Sequence, residues 1–90
     1  MADASAGRIG RYRPPPANLP GFPDAHRVRP KGAGTRRRAR WADEKGKFYE
    51  WDYQHGTVEA YNPRGEHLGE FDPITGQQIK AADPSRRADP

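Results

Sequence analysis

The 90-residue sequence contains no cysteine. That excludes a disulfide framework, a cysteine-ligated zinc finger and a thiol nucleophile together. Long apolar runs are missing too, and none approaches the roughly 18 residues of a membrane-spanning helix. No apolar stretch follows Met1, so the chain is expected to carry no export signal of its own. Hydrophobic residues make up only 32% of the chain, too few for the deep cleft and separate cofactor fold of a large enzyme. His26, His55 and His67 show no metal-ligand spacing, so neither a metal nor a cofactor is expected.

Charge is plentiful and unevenly placed. Residues 1–40 carry ten Arg and Lys against two Asp, a net of +8. Residues 41–90 carry six Arg and Lys against ten Asp and Glu, a net of −4. The basic half points to a polyanionic partner, most simply nucleic acid. The acidic half then needs its own explanation, because carboxylates repel phosphates.

The same boundary separates two regions of different texture. Residues 1–40 hold six of the ten prolines and show almost no periodicity. They are expected to form a basic, extended, partly disordered arm with at most one short helical turn. Pro14, Pro15 and Pro16 read as polyproline II, and residues 31–35 as a glycine-rich joint. Leu19 and Phe22 are the candidate anchors of the arm. Arg36, Arg37, Arg38 and Arg40 form a dense cluster and are the candidate nucleic-acid-binding residues, making sequence-independent phosphate contacts. A solvated linker would show the same run of charge.

Residues 41–90 hold both tryptophans and read as a sheet domain, ending in a polar tail of about ten residues. Strand-like segments at residues 48–53, 57–61, 66–71 and 77–80 are separated by turn signals. Asn62, Pro63, Arg64 and Gly65 suit a type I turn, and Gly69 marks a bulge or weak point. The expected fold is mainly β, a small, highly twisted antiparallel sheet in meander order.

Alternation along a strand places Tyr49, Trp51 and Tyr53 on one face and Glu50, Asp52 and Gln54 on the other. A two-residue loop at His55 and Gly56 would set Asp52 opposite Glu59. A four-residue loop over residues 53–56 would shift the pairs and keep the faces. Either way Val58 and Ala60 join the aromatic core side. Asp52, Glu59, Glu50 and Tyr61 gather on the other, with His55 at the rim. Adjacent carboxylates cost a sheet some stability, and such a face is commonly no more than a solvated one. The same groups are the equipment of general acid–base catalysis near neutral pH. RNA suits this equipment without a metal, since its own hydroxyl is the nucleophile. A base, an acid and a cation to steady the phosphorane-like charge then suffice. Asp52, His55 and Glu59 are the candidates for base and acid, and Arg40, Arg86 or Arg87 for the cation.

Several spaced motifs run through this half. Arg40-Trp41 is followed by Tyr49-Glu50-Trp51-Asp52, Gln54-His55-Gly56, Glu59 and Tyr61. Then come His67-Leu68-Gly69, Phe71-Asp72-Pro73, Thr75-Gly76, Asp83-Pro84 and Arg86. Over roughly residues 40–86 the pattern closely resembles the cytotoxic ribonuclease domain of the ribosome-inactivating E-group colicins and cloacin. The resemblance implies a twisted antiparallel sheet with a short helical N-terminal segment. It implies an endoribonuclease that cuts 16S ribosomal RNA at the decoding site of the small ribosomal subunit and stops translation. It implies catalytic roles for Asp52, His55, Glu59 and Arg86. Of these, Glu59 is expected to be the base and His55 the acid, although the sequence leaves the two roles exchangeable. It also implies an acidic immunity protein as partner in the producing cell. The expected setting is a monomeric toxin domain of a larger secreted protein, acting in the cytoplasm of a target bacterium. Thr57 departs from the family, standing where an acid is common, and so do Tyr53 and the residues after Arg86. A noncatalytic RNA- or ribosome-binding module is the alternative reading, and a metal-dependent nuclease a further one.

Overall fold

Four hairpin turns share one chemical device, and together they lay the chain out as a meander. At each, an Asp or Asn at a strand end accepts two backbone N–H groups through its side chain, and a glycine with positive φ follows. The acceptors are Asp43, Asp52, Asn62 and Asp72, each satisfying donors that a sharp turn would otherwise leave bare. Gly56 shows why the glycine is needed. Its φ of +71° lies in the left-handed region, where a side chain would clash.

The computed structural model describes residues 13–31 and 37–90. They form one six-stranded antiparallel sheet whose spatial order follows the sequence. The strands are β1 (His26–Val28), β2 (Arg40–Ala42), β3 (Phe48–Asp52), β4 (Thr57–Tyr61), β5 (His67–Phe71) and β6 (Gln78–Lys80). The four expected strands are β3 to β6. The sheet continues back through β2 into β1, where His26 pairs with Ala42 and Val28 with Arg40. Among the described residues there is no helix, so the short helical turn allowed for in the arm does not occur in residues 13–31. Among the described residues no helix is long and apolar enough to cross a membrane. Residues 32–35 of the expected glycine-rich joint, and Arg36 after them, lie outside the described residues.

Register settles the β3–β4 loop. Asp52 pairs with Thr57 and Glu50 with Glu59, so the loop has four residues, 53–56. The faces hold as expected. Trp41, Tyr49, Trp51, Val58 and Ala60 pack on one side with Leu19, Ala25 and Ala39. Trp41 and Trp51 meet edge to face, with centroids 6.1 Å apart. Both indole N–H groups reach the arm, Trp41 bonding the Ala17 carbonyl at 3.1 Å and Trp51 the Arg13 carbonyl at 2.7 Å. Buried indoles need such acceptors, and the arm supplies them. Leu19 is 1% exposed, and Phe22 lies 4.7 Å from Tyr49 and 5.8 Å from Phe71. Leu19 and Phe22 are therefore the anchors expected of them, and residues 13–25 cover the apolar face.

A bulge decides what reaches the other face. Ala60 pairs with Gly69 but Tyr61 pairs with His67, so Leu68 is an extra residue in β5. The bulge therefore sits beside Gly69, where weakness was expected. Strict alternation would put His67 and Glu70 on opposite faces. With Leu68 inserted, both stand on the face that carries Glu59. The C-terminal residues also depart from the expected polar tail. The His67 N–H bonds the Arg86 carbonyl, Glu66 and Arg87 form a bridge, and the Ala88 N–H bonds the Gly65 carbonyl. The tail thus folds back along the start of β5.

Candidate active site

One line of paired residues crosses five strands on the polar face. Arg40, Glu50, Glu59, Glu70 and Lys80 are successive cross-strand partners from β2 to β6. Three adjacent carboxylates destabilise a sheet, and here a cation flanks the row at each end. Around its centre lies a groove of about 460 Å³, with Arg38, Asp52, His55, Glu59, His67, Glu70, Lys80 and Arg86 among its lining residues.

The β3–β4 loop positions the first pair. Asp52 Oδ1 accepts the backbone N–H groups of Gln54 (2.9 Å) and His55 (3.1 Å). Its other oxygen, Oδ2, meets His55 Nδ1 at 2.8 Å. One carboxylate thus shapes the loop and holds the ring. Burial alone would raise the Asp52 pKa, but the His55 ring and these backbone donors outweigh it and bring it below the ordinary value. The His55 side chain remains 51% exposed, and among the described residues no partner takes its Nε2.

Glu59 is held from two sides. It is 3% exposed, and its Oε1 lies 2.7 Å from His67 Nε2. His67 Nδ1 accepts the Asp83 backbone N–H at 2.9 Å. A ring nitrogen that accepts carries no proton, so Nε2 holds the proton and donates to Glu59. Glu59 Oε2 lies 3.7 Å from Arg86 Nη1, and Arg86 Nε donates to the Tyr61 hydroxyl at 3.1 Å. Burial lowers the Arg86 pKa, but Tyr61 and Glu59 outweigh it, and the net shift is upward. A turn closed by the Arg86 N–H on the Asp83 carbonyl (3.0 Å) carries this arginine to the groove. His67 therefore ties the Glu59 carboxylate to the same turn that delivers Arg86.

All four expected catalytic residues, Asp52, His55, Glu59 and Arg86, stand on this groove. The expected phosphate-binding arginines divide. Arg37 and Arg38 are exposed. Arg40 departs from that expectation, being 2% exposed. Its guanidinium lies 3.8 Å from the centre of the Phe48 ring and 3.9 Å from Glu50, and it donates to the Asp89 carbonyl. Burial lowers its pKa, against the pull of Glu50. Burial likewise raises the Glu50 pKa, with Arg40 opposing. Arg40 thus caps one end of the carboxylate row from within the fold, with little surface left for a phosphate.

His67, Glu70 and Lys80 were not among the expected site residues. The motif His67-Leu68-Gly69 was visible, but nothing local to it points to Glu59. Donor atoms of Asp52, His55 and Glu70 lie within 4.8 Å of one another, a spacing that could hold a metal ion. Those donors are already engaged. Asp52 meets the His55 ring, Thr57 Oγ1 donates to Glu70 Oε2 at 2.6 Å, and Lys80 Nζ lies 3.8 Å from Glu70 Oε1.

Comparison with known proteins gives a consistent picture. The model of a family described as Cytotoxic matches residues 13–89. Cloacin from Escherichia coli is 58% identical over 59 residues, covering 63% of this chain and 10% of that protein. Colicin E3 from the same organism is 51% identical over 69 residues, covering 74% of this chain and 12% of its own length. Colicin-E6, also from Escherichia coli, is 54% identical over 59 residues, 63% of this chain and 11% of that protein. The chain thus spans about a tenth of the length of the relatives it matches. With a family model covering nearly all of it, and the polar groove built from that matched stretch, the chain belongs to the Cytotoxic family.

Proposed function

We propose that this chain is the endoribonuclease domain of a bacterial toxin. It cuts 16S ribosomal RNA at the decoding site of the small subunit, by acid–base chemistry in the groove. The observation that carries the reading is the convergence of His55 and Glu59, each fixed by its own partners, on one groove beside Arg86. The RNA 2′-hydroxyl attacks the adjacent phosphorus as Glu59 takes its proton. The bond from phosphorus to the 5′-oxygen breaks as His55 delivers a proton from Nε2 to that oxygen. Arg86, 38% exposed at its side chain, faces the charge that gathers on the phosphoryl oxygens. The products are a 2′,3′-cyclic phosphate and a 5′-hydroxyl. Arg37 and Arg38 contact RNA phosphates outside the cut.

The domain acts as the toxic part of a larger secreted protein, in the cytoplasm of the target cell. In the producing cell an acidic immunity protein neutralises it, drawn by the +8 charge of residues 1–40. The test is to treat small ribosomal subunits with the protein in excess chelator. A discrete fragment of 16S RNA bearing a cyclic phosphate is expected. Cleavage that vanishes in chelator and returns with magnesium would overturn the mechanism.

A further inference from the structure

We infer that Glu70 is a positioning residue for His55, the second of two carboxylates that fix the ring for proton delivery. The inference rests on the reading of His55 as the acid. Glu70 is 5% exposed, and it stands opposite Glu59 in the sheet, where a like charge costs stability. A buried carboxylate needs compensation from its neighbours, and its partners show where it acts. Its Oε2 accepts the Thr57 hydroxyl at 2.6 Å and lies 3.9 Å from His55 Nδ1. Its Oε1 faces Lys80 Nζ at 3.8 Å. Thr57 directly follows the loop that carries His55, so its hydroxyl aims Glu70 at that loop.

Asp52 alone leaves a gap in this design. Its bond to Nδ1 is local, within the loop that must stay ordered, and the ring is half exposed to water. Glu70 comes from β5, a strand outside the hairpin, and ties the ring's position to the body of the sheet. With both anions on the Nδ1 edge, Nε2 is left facing the substrate. Lys80 balances Glu70 from the edge strand and keeps its charge from adding to that of Glu59.

The closing experiment uses decoding-site RNA with the natural 5′-oxygen leaving group, beside the same RNA carrying sulfur in place of that bridging oxygen. A thiolate leaves without a proton, so only loss of the acid separates the two. Glu70→Gln keeps an acceptor for Thr57 and removes the charge. Its expected effect is a kcat loss of about tenfold on natural RNA, part of the about 10²-fold or more a whole acid contributes. KM and the melting temperature should stay near wild type, and the sulfur RNA should be cut within about twofold of the wild-type rate. His55→Ala should show the same pattern on a larger scale, and Glu70→Gln should add nothing to it. Equal loss on both RNAs, a loss that persists in the His55→Ala background, or an unchanged kcat would each overturn the role of Glu70. If His55→Ala itself cuts natural RNA like wild type, the reading of His55 fails, and the inference with it.

Discussion

The two faces of this sheet are built from the same strands and obey different rules. On the apolar face, Tyr49, Trp51, Val58 and Ala60 follow from alternation, Trp41 joins them from β2, and a strap of chain covers them. On the polar face, five charged residues stand in one line, and each is tolerable only because of neighbours on other strands. The apolar face makes the fold from many interchangeable contacts. The polar face holds a few specific ones at a cost in stability. Damage to the first should therefore appear as unfolding, and damage to the second as lost chemistry in a folded protein.

The largest effect is expected where the two roles are most distinct. Trp41→Ala removes a fully buried indole and should cost about 3–5 kcal/mol of stability. A domain this small has only about 5–15 kcal/mol in all. Denaturant unfolding would show it, and a loss under about 1 kcal/mol would mean that the strap and core are loosely coupled. By contrast, Glu59→Gln or His55→Ala should cut RNA cleavage by at least about 10²-fold. Circular dichroism should remain that of wild type. If either variant unfolds instead, the polar face is structural and the comparison breaks.

Much of this division was legible in the sequence, and the exceptions share a cause. The hairpin of β3 and β4 could be read because its pairs are close in sequence and its turn residues are distinctive. Asp52, His55 and Glu59 followed from that hairpin. The two loop lengths differed only in register, which a single sequence does not fix. His67 and Glu70 were out of reach as a pair because one extra residue, Leu68, brings to one face two residues that strict alternation would part. Arg40 read as part of a basic run, since its burial depends on Phe48, Glu50 and the returning tail. Lys80 and the docking of residues 83–88 likewise depend on pairing with β5, which no local pattern reveals. Arg86 was one of three candidate cations on chemistry alone, and only the family resemblance chose it over Arg40 and Arg87.

Smaller effects sharpen the contrast within the basic residues. Neutralising Arg37 and Arg38 together should weaken RNA binding evenly across sequences. The salt slope should fall by about one for each arginine. Turnover of bound RNA should change little, and an unchanged slope would make the two arginines bystanders.

The smallest effect concerns acid. Asp52 has a lowered pKa despite the burial that opposes it, so its folded form binds a proton less readily than the unfolded chain. Its contribution is fully present above the unfolded value of about 3.9 and is lost as pH falls through the folded value. Glu50, raised chiefly by burial, works in the opposite direction. Asp52→Asn should therefore lower stability at neutral pH, by a margin that closes as pH falls through the acid range, so that the acid side of the stability curve is flatter. A variant that loses as much stability at neutral pH as at low pH would show that the effect is not ionisation.

The most direct measurement of the polar face's chemistry needs one altered atom in the substrate. A decoding-site RNA with a single 2′-deoxy residue at the scissile position should resist cleavage there, because the nucleophile that Glu59 activates is gone. Binding and the ionic-strength dependence should stay those of the unmodified RNA. Cleavage of the deoxy substrate at the same bond and a comparable rate would mean that water, not the RNA's own hydroxyl, attacks the phosphorus. That result would contradict the roles given to Glu59 and His55.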